Sequence, residues 1–305
     1  MILDSTFQKS YCSTSICILF LFFSINLKLK GQNNTNDSLK ILSWNTYMLP
    51  LGAIIKKHFQ RAKNIAFLLK KANYDVMVFQ EVFHKKIFRY WKDQFAENYP
   101  YQAYIPITSR FSFKTSSGIV IYSKHPILEK KYIEYKNFCP CYAADCYAYK
   151  GALLIKIQKK MQQFQIVGTH LQAQEHPKAH AIRKCQLQAI FEHLIMPNLE
   201  KGVPQIIIGD LNVARIQNPQ LYKEMLSILE AIDVNRAINP AFTYDGLRNT
   251  LPSGRNKVFT DILDYILFRS NNSLVKPGNY KVNYFRDPNN KDLSDHYAIE
   301  ATFYF

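Results

Sequence analysis

The stretch LKILSWNT, residues 39–46, decides the fold, because it joins a mostly apolar run to a polar end. A run that is apolar on both faces is typical of a strand buried inside a sheet. Its last residues, Trp44, Asn45 and Thr46, would then lie at the rim of that sheet, where loops build functional sites. The same arrangement recurs along the chain, which predicts a sheet-based protein with a site at one edge.

Short apolar runs alternate with longer amphipathic stretches through the rest of the chain. The apolar runs predict eight strands, at residues 39–44, 75–79, 118–122, 152–157, 164–167, 205–208, 262–268 and 297–303. Apolar residues at i, i+3 and i+4 predict three helices, at residues 58–72, 178–196 and 219–232. Because no Pro/Gly/Ser-rich linker divides the chain, we expect one two-sheet α/β sandwich rather than two domains.

Composition excludes several classes of protein. Of the 305 residues, 48% are hydrophobic, 14% are aromatic and only 10 are glycine, which excludes collagen-like, linker-like and intrinsically disordered chains. The formal net charge of +16 suits an anionic partner such as nucleic acid, a phosphorylated substrate or an acidic membrane face. The charge by itself selects none of these partners.

The first thirty-one residues have the features of a secretory signal peptide. Lys9 precedes a compact apolar run at residues 16–27, which is shorter than the roughly 20 residues that cross a hydrocarbon core. We therefore expect residues 1–31 to be removed, with a membrane anchor as the less favoured alternative, and residues 32–305 to form a single secreted domain. Removal takes away three lysines and one aspartate, which leaves a net charge of +14.

Four cysteines remain after this removal, namely Cys139, Cys141, Cys146 and Cys185. An oxidising compartment favours disulfides, and four thiols allow three pairings. The cluster of three is also compatible with a metal clip, although no His/Cys pair follows at zinc-finger spacing. A disulfide is the favoured prediction, and its pairing stays open.

Polar residues directly follow several predicted strands. Singly, each has an ordinary explanation: Asn45 as a turn former, Glu81 as a first-turn acid, His170 as a rim histidine, and Asp264 as an acceptor of a backbone or tyrosine hydrogen bond. Together they predict one composite site. The six segments are Ser43-Trp44-Asn45, Phe79-Gln80-Glu81, Gly168-Thr169-His170, Gly209-Asp210-Leu211-Asn212, Leu263-Asp264-Tyr265 and Ser294-Asp295-His296.

The side chains in these segments favour a hard divalent cation. Glu81, Asp210, Asn45 and Asp295 supply oxygen ligands without a set of thiolates. Such ligands suit Mg²⁺ better than zinc, with Mn²⁺ or Co²⁺ as alternatives. The sequence therefore predicts a magnesium site.

These motifs, in this order, resemble the metal-dependent endonuclease/exonuclease/phosphatase superfamily, which has the DNase I-like fold, and the resemblance runs over residues 39–305. Within the superfamily the chain is similar to the secreted bacterial neutral sphingomyelinases, through NTYMLP at residues 45–50, GTHLQA at residues 168–173, and Asp145 followed by Lys150-Gly151. The wider resemblance implies a four-layer α/β/β/α sandwich that hydrolyses a phosphodiester or phosphomonoester. The narrower one implies cleavage of sphingomyelin to ceramide and phosphocholine.

The resemblance also implies the central catalytic roles. Glu81 matches the magnesium ligand, with Asn45 beside it. His296 matches the general base that deprotonates the attacking water, and Asp264 is expected to orient its ring. Asp295 is expected to tune or orient the site.

Further residues are expected to act on the water and the phosphate. Asp210 would orient the water or the hydration shell of the metal, and Asn212 would donate its amide to a phosphoryl oxygen. His170 would bind the phosphate, with protonation of the ceramide alkoxide as an alternative. Lys150 resembles a lysine that reaches the phosphate. Asp145 is its possible ion-pair partner, unless both are solvated strand-end charges.

The chain departs from the sphingomyelinase pattern in two places. Those enzymes carry a long aromatic hairpin that docks on membranes, whereas residues 268–293 are short and mostly polar, with Tyr284 and Phe285 as their only adjacent aromatic pair. Their cysteine placement is also not reproduced, because Cys185 lies on a predicted helix. We therefore expect no deep insertion into membranes.

The expected partners are a sphingomyelin-containing membrane surface and a phosphocholine headgroup, without an obligate protein partner. A secreted nuclease or a related phospholipase C would use the same Glu81, Asp210 and His296, and a nuclease would bind nucleic acid through the positive charge. Nucleic acid is disfavoured because basic residues such as Lys63 and Lys85 are scattered on or near predicted helices. A non-enzymatic membrane-binding or adhesion protein would not need the complete polar set.

Overall fold

Two six-stranded sheets pack face to face in the structure, a computed structural model that describes residues 37–50, 55–106, 114–252 and 254–305. The predicted signal peptide, residues 1–31, lies outside these described residues. The described residues belong to one compact unit. None of their helices is long and apolar enough to span a membrane.

The described residues form fourteen strands and four α-helices, numbered here in chain order. The strands are β1 (Ser38–Met48), β2 (Val76–Val82), β3 (Tyr101–Tyr104), β4 (Val120–Ser123), β5 (Ile127–Glu134), β6 (Gly151–Lys159), β7 (Gln162–His170), β8 (Gln205–Asp210), β9 (Ile232–Asp233), β10 (Tyr244–Asp245), β11 (Thr260–Asp261), β12 (Asp264–Arg269), β13 (Lys276–Asn283) and β14 (Ala298–Tyr304). The helices are α1 (Ile55–Lys70), α2 (Lys85–Phe95), α3 (Pro177–Ile190) and α4 (Pro219–Ile228).

Strand directions bring the candidate site residues to one edge of each sheet. The first sheet has the order β13-β14-β1-β2-β4-β3 and the second β5-β6-β7-β8-β12-β9, while β10 and β11 pair with each other. The β1–β2 and β7–β8 pairs are parallel, and the other neighbours are antiparallel. The carboxyl ends of β1, β2, β7 and β8 therefore lie at the same edges as the amino ends of β12 and β14.

Three apolar clusters fill the spaces between four layers. The first lies between the sheets and includes Ile41, Val78, Ile155 and Ile266, all fully buried. The second joins α3 and α4 to the outer face of the second sheet. The third joins α1 and α2 to the outer face of the first sheet. The predicted four-layer α/β/β/α sandwich is confirmed.

The structure also corrects the predicted elements. All eight predicted strands are present within a few residues, but α2 and several edge strands were not predicted, because they are short or alternate exposed polar residues with buried ones. The predicted helix 219–232 is too long: α4 ends at Ile228, Glu230 has a left-handed φ of 46°, and Ile232 begins β9. The predicted helix 178–196 stops at Ile190 and continues as a π-helical turn.

The four cysteines form two disulfides, Cys139–Cys185 and Cys141–Cys146. The first ties the segment after β5 to α3, and the second closes a short loop before β6. The disulfide prediction is confirmed. The alternative of a metal clip is excluded, because every sulfur of the cluster is already bonded.

Candidate active site

The two sheets meet through side chains at their polar edges. Asn45, near the end of β1, donates its amide hydrogen to Asp210 Oδ2 across the sheets at 2.9 Å. Trp44 Nε1 donates to the carbonyl oxygen of His296 at 2.9 Å, and Ser294 Oγ donates to the carbonyl oxygen of Asn45 at 2.6 Å. The polar strand ends of the sequence thus converge on one buried site.

Asp210 lies at the centre of this site. Its Oδ2 atom is 3.4 Å from His170 Nε2 and 3.7 Å from His296 Nε2, besides the hydrogen bond from Asn45. Its other oxygen accepts the backbone N–H of Asn212 at 3.0 Å, and Asn212 adopts a left-handed φ of 50° there. One carboxylate therefore binds the amide of Asn45 and lies beside two imidazoles.

His296 has the surroundings of a general base. Its Nδ1 atom is 2.8 Å from Asp264 Oδ2, which is the predicted carboxylate–imidazole hydrogen bond. Burial opposes a positive charge on the ring, but the carboxylates of Asp264 and Asp210 outweigh it and raise the pKa of His296 well above its usual value of 6.5. Because Nδ1–H donates to Asp264, Nε2 is the nitrogen left to accept a proton from water.

Glu81 lies at the end of β2 in a backbone conformation that residues other than glycine rarely adopt. Its φ is 59°, and Gly118, with φ of 72°, packs against it so closely that a Cβ atom at Gly118 would lie 3.1 Å from the Cα atom of Glu81. Burial, and then the nearby Asp295, raise the pKa of Glu81 to about 8. Its Oε2 atom is buried and has no hydrogen-bond partner among the described residues.

These features fit a divalent cation at Glu81. Oε1 of Glu81 lies 4.0 Å from His170 Nε2, whereas Oε2 has no partner among the described residues, so a cation could bind this oxygen and offset the negative charge of Glu81, Asp295 and Asp210. Asn45 lies between Glu81 and Asp210, and its Oδ1 atom accepts the backbone N–H of Tyr47 at 3.2 Å. Burial likewise raises the pKa of Asp295.

A second group of possible ligands is Asp210, Asp264 and His296, whose ligand atoms lie within 4.8 Å of one another. The 2.8 Å distance from His296 Nδ1 to Asp264 is a hydrogen bond, which uses both atoms. This trio is therefore better suited to orienting a base than to holding a metal.

His170 and Lys150 form a pair beside Asp210. Burial, and then the charge of Lys150, lower the pKa of His170 well below 6.5, so its imidazole is neutral. Lys150 Nζ is 2.7 Å from Asp145 Oδ2, 2.7 Å from the carbonyl oxygen of Leu171 and 3.4 Å from His170 Nε2. The predicted ion pair with Asp145 is present.

Lys150 is thus committed to partners in the protein. An ammonium group has three hydrogens, and the three contacts use all of them. Lys150 therefore lies behind His170, and a direct contact with a phosphate would break one of these bonds. Asn212 keeps more freedom, because its Nδ2 atom donates one hydrogen to the carbonyl oxygen of Leu171 at 3.2 Å and has a second.

Three residues around the site were missed by the sequence reasoning. Arg61 of α1 donates to the carbonyl oxygens of Thr46 and Leu293 at 3.0 and 2.7 Å. The ring of Tyr244 meets that of His296 edge-on at 5.0 Å. Tyr47 has a φ of 52° and a pKa raised by burial and Asp295. The one available signal was an arginine on the apolar face of a predicted helix.

Fold and site together define a protein of the class that carries a buried cluster of carboxylates and imidazoles at the polar edge of a two-sheet sandwich. The chain belongs to the endonuclease/exonuclease/phosphatase family, which it matches over residues 42–296.

The first curated relatives of the chain are named as sphingomyelinases. The chain is 31% identical to Sphingomyelinase C 2 of Leptospira interrogans serogroup Icterohaemorrhagiae serovar Lai (strain 56601), over 90% of this chain and 48% of the relative. It spans about half the length of the first curated relatives that it matches.

Solved structures match nearly end to end. The crystal structure of sphingomyelinase C from Streptomyces griseocarneus has a TM-score of 0.74 and 25% identity, and the match covers 88% of this chain and 99% of that one. A mutant of the beta toxin of Staphylococcus aureus with bound magnesium ions has a TM-score of 0.71 and 26% identity, with 87% and 99% covered. The DNase I-like fold is confirmed.

Proposed function

We propose that the protein is a secreted, Mg²⁺-dependent phosphodiesterase that hydrolyses sphingomyelin to ceramide and phosphocholine. The observation that carries the reaction type is the Asp264–His296–Asp210 arrangement next to Glu81, whose Oε2 atom has no hydrogen-bond partner among the described residues. The names of the relatives support the substrate, because sphingomyelinases recur among both the curated proteins and the solved structures.

Glu81 and Asn45 would hold the cation. When bound there, a divalent cation neutralises charge on the phosphoryl group and so lowers the barrier to attack by an anionic oxygen. Glu81 suits this role because its Oε2 atom has no partner among the described residues. Asp295, close by, adds negative charge to the site.

His296 would remove the proton from the attacking water through Nε2, while Asp264 fixes the ring and stabilises the imidazolium that forms. Asp210, 3.7 Å from His296 Nε2, would orient the water. The neutral His170 would donate a hydrogen bond to a phosphoryl oxygen, since its lowered pKa leaves the ring without an acidic proton for the ceramide alkoxide, which would take its proton from solvent water. The remaining amide hydrogen of Asn212 would bind the same group.

Lys150 would act through His170. Its bonds to Asp145 and to the carbonyl oxygen of Leu171 fix its position. Burial, and then the charge of Lys150, lower the pKa of His170 and so keep its imidazole neutral. We therefore propose that Lys150 acts on His170 rather than contacting the phosphate directly.

A cavity next to the end of β2 favours a lipid over a nucleic acid. Its volume is about 320 Å³, and its lining includes the rings of Phe83, Phe88 and Tyr104 together with Lys85 and Arg89. A mostly apolar wall suits an amphiphilic substrate. A secreted nuclease remains the alternative, since the reaction at phosphorus would be the same.

Substitution of Glu81 by glutamine tests the metal site. We expect Glu81→Gln to fold normally, to bind Mg²⁺ weakly in calorimetry, and to lose several orders of magnitude in sphingomyelin hydrolysis, because the amide removes the negative charge from the cation site. Glu192→Gln, at an exposed acid on the π-helical turn, is the matched control and should behave like the wild type.

Substrate comparison tests the reaction itself. The wild type with Mg²⁺ should cleave sphingomyelin, with phosphatidylcholine and plasmid DNA tested as alternative substrates. EDTA should abolish the activity. If the protein cleaved plasmid DNA faster than lipid, the proposed lipid hydrolysis would be wrong and the protein would be a nuclease.

A further inference from the structure

Apolar and cationic side chains lie exposed together on the segment that joins β10 to β11. Leu247 is 68% exposed and Val258 is 74% exposed. Arg248 and Lys257 beside them are exposed as well. Residues 246–259 contain three cationic residues and no acidic ones. We call Leu247, Arg248, Lys257 and Val258 the exposed edge.

The hairpin brings the two halves of the exposed edge together. Tyr244 and Asp245 pair antiparallel with Asp261 and Thr260, and the backbone N–H of Gly246 then donates to the carbonyl oxygen of Phe259 at 2.9 Å. Leu247 and Val258 are the next residues beyond this hydrogen bond, one on each side. Both apolar side chains therefore lie at the same end of the hairpin.

The exposed edge is attached to the segment that carries the proposed base. Asn249 Nδ2 donates to the carbonyl oxygen of Ser294 at 2.9 Å, and the backbone N–H of Thr250 donates to Asp292 Oδ2 at 2.9 Å. Ser294 and Asp292 closely precede His296. A partner bound to the exposed edge would therefore lie next to the active site.

Aromatic rings make the same connection from the other side of the hairpin. The ring of Phe259, which follows Val258, lies 5.7 Å from that of Tyr244, and Tyr244 lies 5.0 Å from His296. This row of rings leads from the exposed edge to the imidazole. The attachment therefore consists of packed side chains as well as hydrogen bonds.

Two other strongly exposed apolar residues, Met161 and Leu274, lack this setting. Met161, 93% exposed, lies in the turn between β6 and β7, at the end of β7 opposite to His170. Leu274, 90% exposed, follows the end of β12 opposite to Asp264. They provide matched controls, because the same substitutions can be made far from the site.

We propose that the exposed edge is the surface through which the protein docks on an anionic lipid bilayer. Leu247 and Val258 enter the interfacial layer, and Arg248 and Lys257 bind lipid phosphates. The choice of a lipid partner rests on the proposed function. Its support on the molecule is the pairing of exposed aliphatic with cationic side chains beside the site, in a chain whose segment 268–293 carries few aromatic residues.

Vesicle sedimentation tests the docking. The probe is a vesicle of phosphatidylcholine and phosphatidylserine at 7:3, without sphingomyelin, so that binding is measured without the proposed substrate. The double variant Leu247→Asp/Val258→Asp should bind at least roughly tenfold more weakly than the wild type, because two aliphatic side chains no longer enter the interface. The control Met161→Asp/Leu274→Asp should bind within about twofold of the wild type.

A second variant tests the cationic half of the exposed edge. Arg248→Ser/Lys257→Ser should weaken binding by roughly fivefold for each charge removed at low ionic strength, and the difference should shrink as salt is added. Circular dichroism checks that each variant folds. Vesicle binding by both edge variants at the wild-type level would overturn the proposal, and so would a loss in the control pair equal to that in the edge pair.

Two further measurements separate this proposal from the proposed function. Hydrolysis of the water-soluble diester bis(4-nitrophenyl) phosphate and of sphingomyelin by the wild type tests the reaction alone. If the wild type binds vesicles through the exposed edge but hydrolyses neither, the proposed function fails and the docking surface stands. If the edge variants lose binding to duplex DNA while vesicle binding is unchanged, the exposed edge binds nucleic acid and the proposal is wrong.

Discussion

At the scale of single residues, Asp264 orients the ring of His296 and contributes to its raised pKa. Its carboxylate lies 2.8 Å from Nδ1 and contributes to raising the pKa of the imidazole well above 6.5. A base must be neutral to accept a proton, so the rate of hydrolysis should fall as the pH drops through that pKa. Asp264→Asn removes the charge that favours the imidazolium. The acid limb of the pH–rate profile should therefore move to lower pH, while the maximal rate falls because the ring is less well oriented.

The profile of kcat/KM against pH, measured for the wild type and Asp264→Asn, checks this expectation. Asp233→Asn is a useful control, because Asp233 is also a buried carboxylate but binds Arg215 and Tyr222 instead of the histidine. An acid limb that stays in place in Asp264→Asn would mean that another group titrates.

The candidate site could be predicted from the sequence to the extent that its residues follow apolar strands. Asn45, Glu81, His170 and Asp210 all lie at carboxyl ends of parallel strands, so the alternation of apolar runs and polar ends suffices to find them. Lys150 is different, because only its ion pair with Asp145 is local, whereas its contacts with His170 and with the carbonyl oxygen of Leu171 depend on how the segment before β6 packs against the end of β7. No local pattern contains that information.

At the scale of elements, α1 holds two site segments together through Arg61. The guanidinium donates to the carbonyl oxygens of Thr46, Tyr47 and Leu293, and so joins the end of β1 to the segment before Asp295. This contact spans 232 positions in the sequence, which is why helical periodicity could not reveal it. The short edge strands escaped prediction for a related reason, since their pairing partners define them more than their own residues do.

Substitution of Arg61 by alanine should loosen the metal site without unfolding the protein. Support of this kind, one step removed from the ligands, is commonly worth 10–100-fold in metal affinity. We therefore expect Mg²⁺ to bind Arg61→Ala roughly tenfold or more weakly in calorimetry, and Arg61→Lys to recover part of the affinity, because one ammonium cannot reach all three carbonyl oxygens. Lys63→Ala, at an exposed position of the same helix, should bind Mg²⁺ normally. Wild-type affinity in Arg61→Ala would show that α1 does not position the site.

At the scale of the whole molecule, Asp75 ties the two sheets together at the edge opposite to the site. It accepts hydrogen bonds from the backbone of Lys40 in the first sheet at 2.8 Å and from Lys159 Nζ in the second sheet at 2.7 Å, while His125 Nε2 lies 2.7 Å away. Burial alone would raise the pKa of Asp75, but the bonds from His125 and Lys159 outweigh burial and lower it. Folding therefore stabilises the ionised form of the Asp75 carboxylate relative to its protonated form.

Asp75→Asn should consequently lower the free energy of unfolding in urea by about 2 kcal/mol at pH 7, since charge-assisted hydrogen bonds in a mostly buried position are lost. A depressed pKa contributes stability above the unfolded value near 3.8 and loses it as the pH falls further. The difference between wild type and Asp75→Asn should therefore persist down to about pH 4 and shrink below it. Binding of Mg²⁺ should be unchanged, because the substitution lies at the far edge of the sheets. If Asp75→Asn were as stable as the wild type at pH 7, the packed core between the sheets would stabilise this edge without the contacts of Asp75.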